Sequence, residues 1–408
     1  MHTFAVARAV HGIEPLVATE IRRSRLGVVR GLRHREVWFE ATDEAGLLGL
    51  RTADDVLLAA AVVDGVGHDR SALRRLARAA REVTAERLAC LAGGFPDAGR
   101  PRPPGGGPMG TDGTSGGLEV SASFVGRRNY SRFEIEDAVG AELARLLRLP
   151  YHSRRDGGRP PRDAMSWRVT IEGDQAVIAL RPADRPLHRR PYKTASIRGT
   201  LHPPVAAAMA ELARLEGAGT VLDPCCGAGT TLIEAHAFAP HLRLLGFDHS
   251  PDALQAAAAN ARAALDDGAT HPSPRPEGRS PFTGGSPIEG GSSFEDRSLI
   301  AGLSPPEDRS PFGWAVADGG RIPVSDGGAD RVLVNPPWGR QVPPQGLLAG
   351  DLGLLWREVR RVLADDGLAV ALVHDGIPRG FAVEETVRVS LSGQHPVIAV
   401  LRKRTARR

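Results

Sequence analysis

Lysine is nearly absent from this chain of 408 residues: Lys193 and Lys403 are the only two, and arginine carries almost all the positive charge. Genomic base composition accounts for such a bias, so arginine abundance alone assigns no guanidinium chemistry. Cysteine is scarce as well. Cys90, Cys225 and Cys226 give neither a disulfide framework nor metal-ligand spacing. Cys225 and Cys226 are neighbours in a glycine-containing loop with no base beside them, so they read as small loop residues rather than reactive thiols. The histidines, His188 and His202 among them, also lack ligand spacing and read as structural or surface groups. No metal site is expected. No apolar stretch is long enough to span a bilayer. Met1-His2-Thr3-Phe4-Ala5 lacks the charged segment and apolar core of a signal peptide. A cytoplasmic protein with no membrane partner is expected, as a monomer or weak dimer.

The length predicts two or three domains. Charge is uneven along it. Residues 1–216 hold 33 basic against 26 acidic side chains, and residues 217–408 hold 19 against 22. A polyanion bound by the N-terminal half fits that asymmetry, as does a solvated surface. Two stretches, 98–117 and 266–312, are rich in glycine and proline and poor in apolar residues. Neither buries enough apolar surface to offset its ordering entropy, so both are expected to be disordered insertions.

Between them the hydrophobic pattern outlines elements. Phe4–Ala7, Val37–Glu40 and Asp55–Val63 read as strands, with helices around Ile13–Ile21 and over Asp43–Leu50. A basic helix follows over Ala72–Ala92, then a strand over 118–125 and a helix over Phe133–Leu147. Trp167–Ile171 and Ala176–Leu180 read as a hairpin around Glu172-Gly173-Asp174-Gln175. From residue 217 strand and helix alternate as in a doubly wound, mostly parallel sheet. Its strands are placed at Val221-Leu222, Arg243–Phe247, Val332–Val334 and Leu368–Val373. A terminal antiparallel hairpin is placed at Val387–Leu391 and Val397–Leu401.

Asn335-Pro336-Pro337-Trp338 carries the chemistry. It follows the apolar run Arg331–Val334, and proline cannot donate to a ladder, so that strand must stop. What remains is a rigid loop offering an amide side chain, carbonyls and a flat ring. That set suits an exocyclic amino group on a planar base; an ordinary Pro-Pro turn is the alternative. Upstream, Val221-Leu222-Asp223-Pro224-Cys225-Cys226-Gly227-Ala228-Gly229-Thr230-Thr231 reads as strand, glycine turn and helix start, the helix spanning 229–239 behind a threonine cap. Asp248 closes the next strand, where a ribose-binding acid belongs. No third glycine and no Gly-Lys-Ser/Thr follow, which favours a nucleoside cofactor without a pyrophosphate.

These motifs resemble those of class I S-adenosylmethionine-dependent methyltransferases of the amino-methylating kind, over about 190 residues. The resemblance implies that Asp223 to Gly229, with Pro224, Cys225, Gly227 and Thr230, holds the methionine part of the cofactor. Asp248 then takes the ribose and Asp318 the adenine amino group, and Asp326 and Asp330 are loop acids. It also implies that Asn335, next to the cofactor, is catalytic, accepting from the amine together with the Pro336 carbonyl, while Pro337 stiffens the loop and Trp338 stacks on the base.

The N-terminal half resembles THUMP-containing RNA methyltransferases. Gly12-Ile13-Glu14-Pro15-Leu16 and Arg51–Leu58 match a ferredoxin-like lead-in over 1–66. Ser123–Arg128 with its following helix matches a THUMP-like domain over 67–182. Pro186–Lys193 matches the Leu-His-Arg-Arg segment ahead of the methyltransferase domain, with Pro191 in place of glycine. That segment lies in a 183–216 linker before the methyltransferase domain, 217–408. Arg127, Arg128, Arg132, Arg189, Arg190, Lys193 and Arg198 are candidate RNA-phosphate contacts. The implied activity is methyl transfer from S-adenosylmethionine to guanosine N2 in tRNA. Large-subunit ribosomal RNA, DNA or a small amine are alternative substrates, and a non-catalytic RNA-binding protein is a further reading.

Overall fold

A computed structural model of the chain describes residues 3–42, 45–84, 87, 116–161, 163–270, 310–339, 342–374, 376–391 and 393–404. It divides into two units, Met1–Ala9 with Val17–Arg189 and Val10–Leu16 with Arg190–Arg408.

The first unit is built on seven strands: β1 (Thr3–Arg8), β2 (Gly27–Arg33), β3 (Glu36–Ala41), β4 (Asp55–Val63), β5 (Leu118–Phe124), β6 (Met165–Glu172) and β7 (Gln175–Leu180). Their order is β2-β3-β1-β4-β7-β6-β5. Helices α1 (Glu14–Arg23), α2 (Ser71–Arg81) and α3 (Arg132–Leu147) accompany them. Antiparallel pairing of β4 with β7 makes the segments 1–66 and 67–182 share one continuous sheet. β5 and β6 are parallel, and α3 provides the crossover between them. A capping box starts α3: Ser131 accepts from the Glu134 N–H while Glu134 accepts from the Ser131 N–H. Its buried face carries Ile135, Val139 and Leu143.

The expected strands and the hairpin at 172–175 are present. Three expectations change. β2 is an additional edge strand whose glycines and exposed arginines hide its period. The helix placed over 43–50 is a 3₁₀ turn over Ala45–Gly49, because two glycines leave too little helix-forming sequence. The basic helix stops at Arg81, and residues 88–92 lie outside the described residues.

The second unit has β8 (Thr220–Asp223), β9 (Arg243–Asp248), β10 (Phe312–Val316), β11 (Ala329–Val334), β12 (Leu363–Val373), β13 (Phe381–Arg388) and β14 (Val397–Lys403), ordered β10-β9-β8-β11-β12-β14-β13. The first five are parallel, and β14 and β13 add antiparallel to β12. The chain order reverses between β8 and β11, and ligands bind at such a switch point, beyond the carboxyl ends of the strands. Helices α4 (Pro203–Leu212), α5 (Thr230–Phe238), α6 (Pro251–Thr270) and α7 (Gly353–Val362) complete the unit. α4 buries every residue but Glu211, in keeping with its alanine-rich sequence, in which Glu211 is the one charged side chain. One face of the sheet packs Leu222, Val332, Val334, Ala369 and Ala371 against α7 through Leu355 and Val359.

Two boundaries move. The first hairpin strand is Phe381–Arg388 rather than 387–391. The insertion at 266–312 is shorter than its composition implies: α6 runs to Thr270, and Phe312 is a buried strand residue stacked on Trp314 at 5.6 Å. Residues 98–115 and 271–309 lie outside the described residues.

Trp314 imposes small residues on its neighbours. A Cβ at Gly246 would lie 2.3 and 2.4 Å from its ring atoms. Gly246→Ala is therefore expected to destabilise the protein by about 1–3 kcal/mol through overpacking. Denaturant unfolding measures this, and an added Trp314→Leu should return part of the loss.

Candidate active site

Four strand ends converge on one cavity of about 630 Å³ at the switch point. Asp223 ends β8, Asp248 ends β9, Asp318 follows β10 and Asn335 follows β11. All four line the cavity, as do Pro224, Cys225, Gly227, Thr230, Pro336, Pro337 and Trp338. The volume lies in the range that encloses small ligands.

Asp223 is buried and accepts from the Cys225 N–H at 3.0 Å and from the Thr231 hydroxyl. Burial pushes its carboxyl up to about 7, against the lowering effect of those two donors. The same burial pushes the Cys225 and Cys226 thiols well above their ordinary value, so neither is a nucleophile near neutrality. Gly227 has φ +54, and its N–H donates to Asp248 Oδ2 at 2.9 Å, while the Ser250 N–H donates to Oδ1 at 2.9 Å. The turn and the ribose-position acid are thus one hydrogen-bonded piece. A carboxylate has about four acceptor sites, so Asp248 keeps capacity for hydroxyl donors.

Gly229 has a different task from the expected one. It does not line the cavity; its Cβ position is 3.0 Å from Trp314 and 3.1 Å from Ala257. With φ +79 it starts α5 where a side chain would collide. It is also the N-cap of that helix, so the expected threonine cap is absent. Asp318 accepts from the Gly320 N–H at 2.8 Å and from the Leu347 N–H at 2.7 Å. Gly346, at φ +57, allows that approach, since a Cβ there would be 2.0 Å from Asp318 Oδ2. Asp326 is a loop acid and pairs with Arg361, but Asp330, expected in a loop, lies within β11, where its carboxylate accepts from the N–H groups of Gly219 and Thr220.

β11 ends at Val334, two residues before the first proline. Asn335 Oδ1 is buried and has no hydrogen-bond partner among the described residues, and the same holds for Thr230 Oγ1 and Trp338 Nε1. Leaving a buried polar group unsatisfied costs about 1–3 kcal/mol, so such atoms on a cavity wall mark places for a ligand's donors or acceptors. Trp338 is held edge-on to His374, with ring centroids 3.7 Å apart.

The basic candidates separate. Lys193 and Arg198 line the cavity. Arg190 does not serve as a phosphate contact: it is buried, with Nε 2.9 Å from Glu234 Oε1. Arg128 spends its guanidinium on the carbonyls of Val66, Gly67 and Gly173. Arg127, Arg132 and Arg189 are exposed, with Arg132 over the Phe133 ring at 4.6 Å.

Gly346, Asn260 and His374 are supporting residues that the motifs did not indicate, and Thr231, inside the quoted glycine-turn motif, was given no role there. His202, read as structural or surface, lines the cavity. Asn260 had a usable signal: an asparagine within the alanine run of α6 weakens a helix unless its amide is needed. Gly346 and His374 had none, since their partners Asp318 and Trp338 are distant in sequence.

A parallel sheet with this strand order, a glycine turn after its first strand and acids closing the next two define a Rossmann-like fold of the class I methyltransferase kind. The comparisons carry this further. Residues 190–271 match the family model described as UPF0020, RMKL-like, methyltransferase domain. The chain is 27% identical over 298 residues to the tRNA (guanine(6)-N2)-methyltransferase of Thermus thermophilus, covering 71% of this chain and 73% of that protein. It is 46% identical over 80 residues to the U6 snRNA (guanine-N(2))-methyltransferase THUMPD2 of Bos taurus, 19% of this chain and 15% of that protein. Among solved structures, TrmN from Thermus thermophilus matches 98% of this chain and 100% of its own with a TM-score of 0.67 and 24% identity, which establishes the shared fold.

Asp223 supplies a test of this geometry in the ligand-free protein. Its folded value lies above the ordinary 3.8, so the native state holds a proton that the unfolded chain has released. Its contribution to stability therefore falls as pH rises from about 4 to about 7 and is level above. The melting temperature of Asp223→Asn relative to the wild type should rise across that window and then plateau. A difference that does not change with pH would contradict the burial.

Proposed function

We propose that this chain is an RNA methyltransferase that modifies the exocyclic N2 of a guanosine, with S-adenosylmethionine as donor. The observation that carries it is Asn335 at the end of β11, which lines the same cavity as Asp223 and Asp248 and whose buried Oδ1 has no partner among the described residues. The residues present fit the cofactor. Asp223 and Thr230 beside the glycine turn suit its methionine part, Asp248 the ribose hydroxyls, and Asp318 the adenine amino group. S-Adenosylmethionine, when bound, supplies an electrophilic methyl group.

The chain's own residues account for the rest. An aromatic amine is a poor nucleophile because its lone pair is delocalised into the ring. Asn335 Oδ1 and the Pro336 carbonyl are two acceptors for its two N–H groups, and accepting both favours a pyramidal nitrogen. The two prolines prevent the loop from relaxing, so the acceptors are preorganised. Trp338, braced by His374, provides an aromatic face for the base. Acceleration comes from positioning and electrostatics rather than from a strong base.

The RNA class follows the relatives: the Thermus thermophilus protein acts on tRNA and THUMPD2 on U6 snRNA. The first covers most of its relative's length and supports tRNA as the favoured substrate. Residues 67–182 take the part of a THUMP-like RNA-binding region beside the ferredoxin-like 1–66, in a cytoplasmic protein. Asn335→Ala is expected to lower methyl incorporation into tRNA by about 10²–10³-fold with cofactor affinity within about threefold of wild type. Unchanged incorporation would remove Asn335 from the chemistry.

A further inference from the structure

The cavity is divided by charge. Asp223, Asp248, Asp252 and Asp318 lie on its β8–β10 side, which suits a cationic methyl donor. Among the described residues, the lysine and arginine that line it, Lys193 and Arg198, come from the segment ahead of α4. That segment lies against the Asn-Pro-Pro-Trp side: a Cβ at Gly199 would be 2.4 Å from the Val342 side chain, and the Val342 carbonyl accepts from the Gly339 N–H at 3.0 Å.

Lys193 is half-buried, and burial alone holds its ammonium below the ordinary value; its side chain has neither a carboxylate nor a hydrogen-bond partner among the described residues. A surface lysine would extend its ammonium into water instead. The backbone around it is pinned. Tyr192 donates its hydroxyl to Glu234 at 2.8 Å and Arg190 donates to the same oxygen. On the other side, the fully buried Asn260 accepts the Ala195 N–H at 2.9 Å and donates to the Ala195 carbonyl at 3.0 Å and the Ala228 carbonyl at 3.1 Å. One amide therefore ties the lysine's segment to the glycine turn. A partly desolvated cation held on a fixed frame, on the substrate side of the cavity, is a site for an anion that arrives with the ligand.

We propose that Lys193 and Arg198 hold the backbone phosphate adjoining the target guanosine, so that these two of the seven basic candidates bind at the reacting nucleotide. The assignment rests on the RNA-methylating reading above. Because the phosphate is recognised next to the base, a nucleotide within RNA is preferred over a free nucleoside.

The test uses the full chain with tRNA. Salt titration of tRNA affinity and steady-state methylation are measured for wild type, Lys193→Ala, Lys193→Arg and Arg198→Ala, with calorimetric cofactor affinity as the control for folding. Each alanine variant should lose about tenfold or more in kcat/KM and reduce the slope of log affinity against log salt by about 1. Cofactor affinity should be unchanged, and Lys193→Arg should retain most of the activity. Wild-type slopes and kcat/KM in both alanine variants would overturn the phosphate assignment and leave the methyltransferase reading standing. A parallel loss of cofactor affinity would also overturn it, by placing Lys193 in the donor half. A wild-type protein that methylates neither tRNA nor ribosomal RNA would overturn both.

Discussion

The arrangement depends on a strand that must end where it does. β11 is a buried central strand, and Pro336 and Pro337 remove the N–H groups that would continue its ladder. The stop falls beside the point where the sheet's strand order reverses, so the first residue past the strand enters the one place an open parallel sheet leaves for a ligand. That residue is Asn335, and its amide oxygen is buried without a partner among the described residues. An arrangement selected only for stability would satisfy it.

The surrounding structure keeps that oxygen where it is. The Gly227 N–H fastens the turn after β8 to Asp248, Thr231 and the Cys225 N–H fasten Asp223, and Leu347 and Gly320 fasten Asp318. Each acid is held by backbone or a short side chain, so the acidic half of the cavity is rigid before any ligand arrives. The opposite half is held by Glu234 and Asn260, buried on α5 and α6, through the segment that carries Lys193. The Gly229–Trp314 contact explains a motif glycine by packing rather than by ligand approach. A glycine pattern can therefore identify the right turn while one of its members serves the core.

Much of this was legible in the sequence because it is local. A strand, a glycine turn and an acid at the next strand end are adjacent in the chain, and the two prolines state where β11 stops. The apolar runs of β8, β9, β11 and β12 need no partner to be recognised. What was not legible depends on distant partners. Arg190 and Arg128 look like free cations until Glu234 and three carbonyls are brought to them by the fold. The short, partly exposed β10 follows an insertion whose composition masks its start, and β2 is an edge strand with too little burial to impose a period. The joining of residues 1–66 and 67–182 into one sheet rests on the β4–β7 pairing, more than a hundred residues apart, which no local pattern encodes.

The central claim is that the cavity methylates an exocyclic amine, and the product reports on it directly. RNA incubated with the protein and an isotopically labelled methyl donor, digested to nucleosides and resolved by mass spectrometry, identifies the atom that received the label. The account predicts label in N2-methylguanosine. Label on a ring nitrogen, a ring carbon or a ribose hydroxyl, or no label in any RNA, would contradict it.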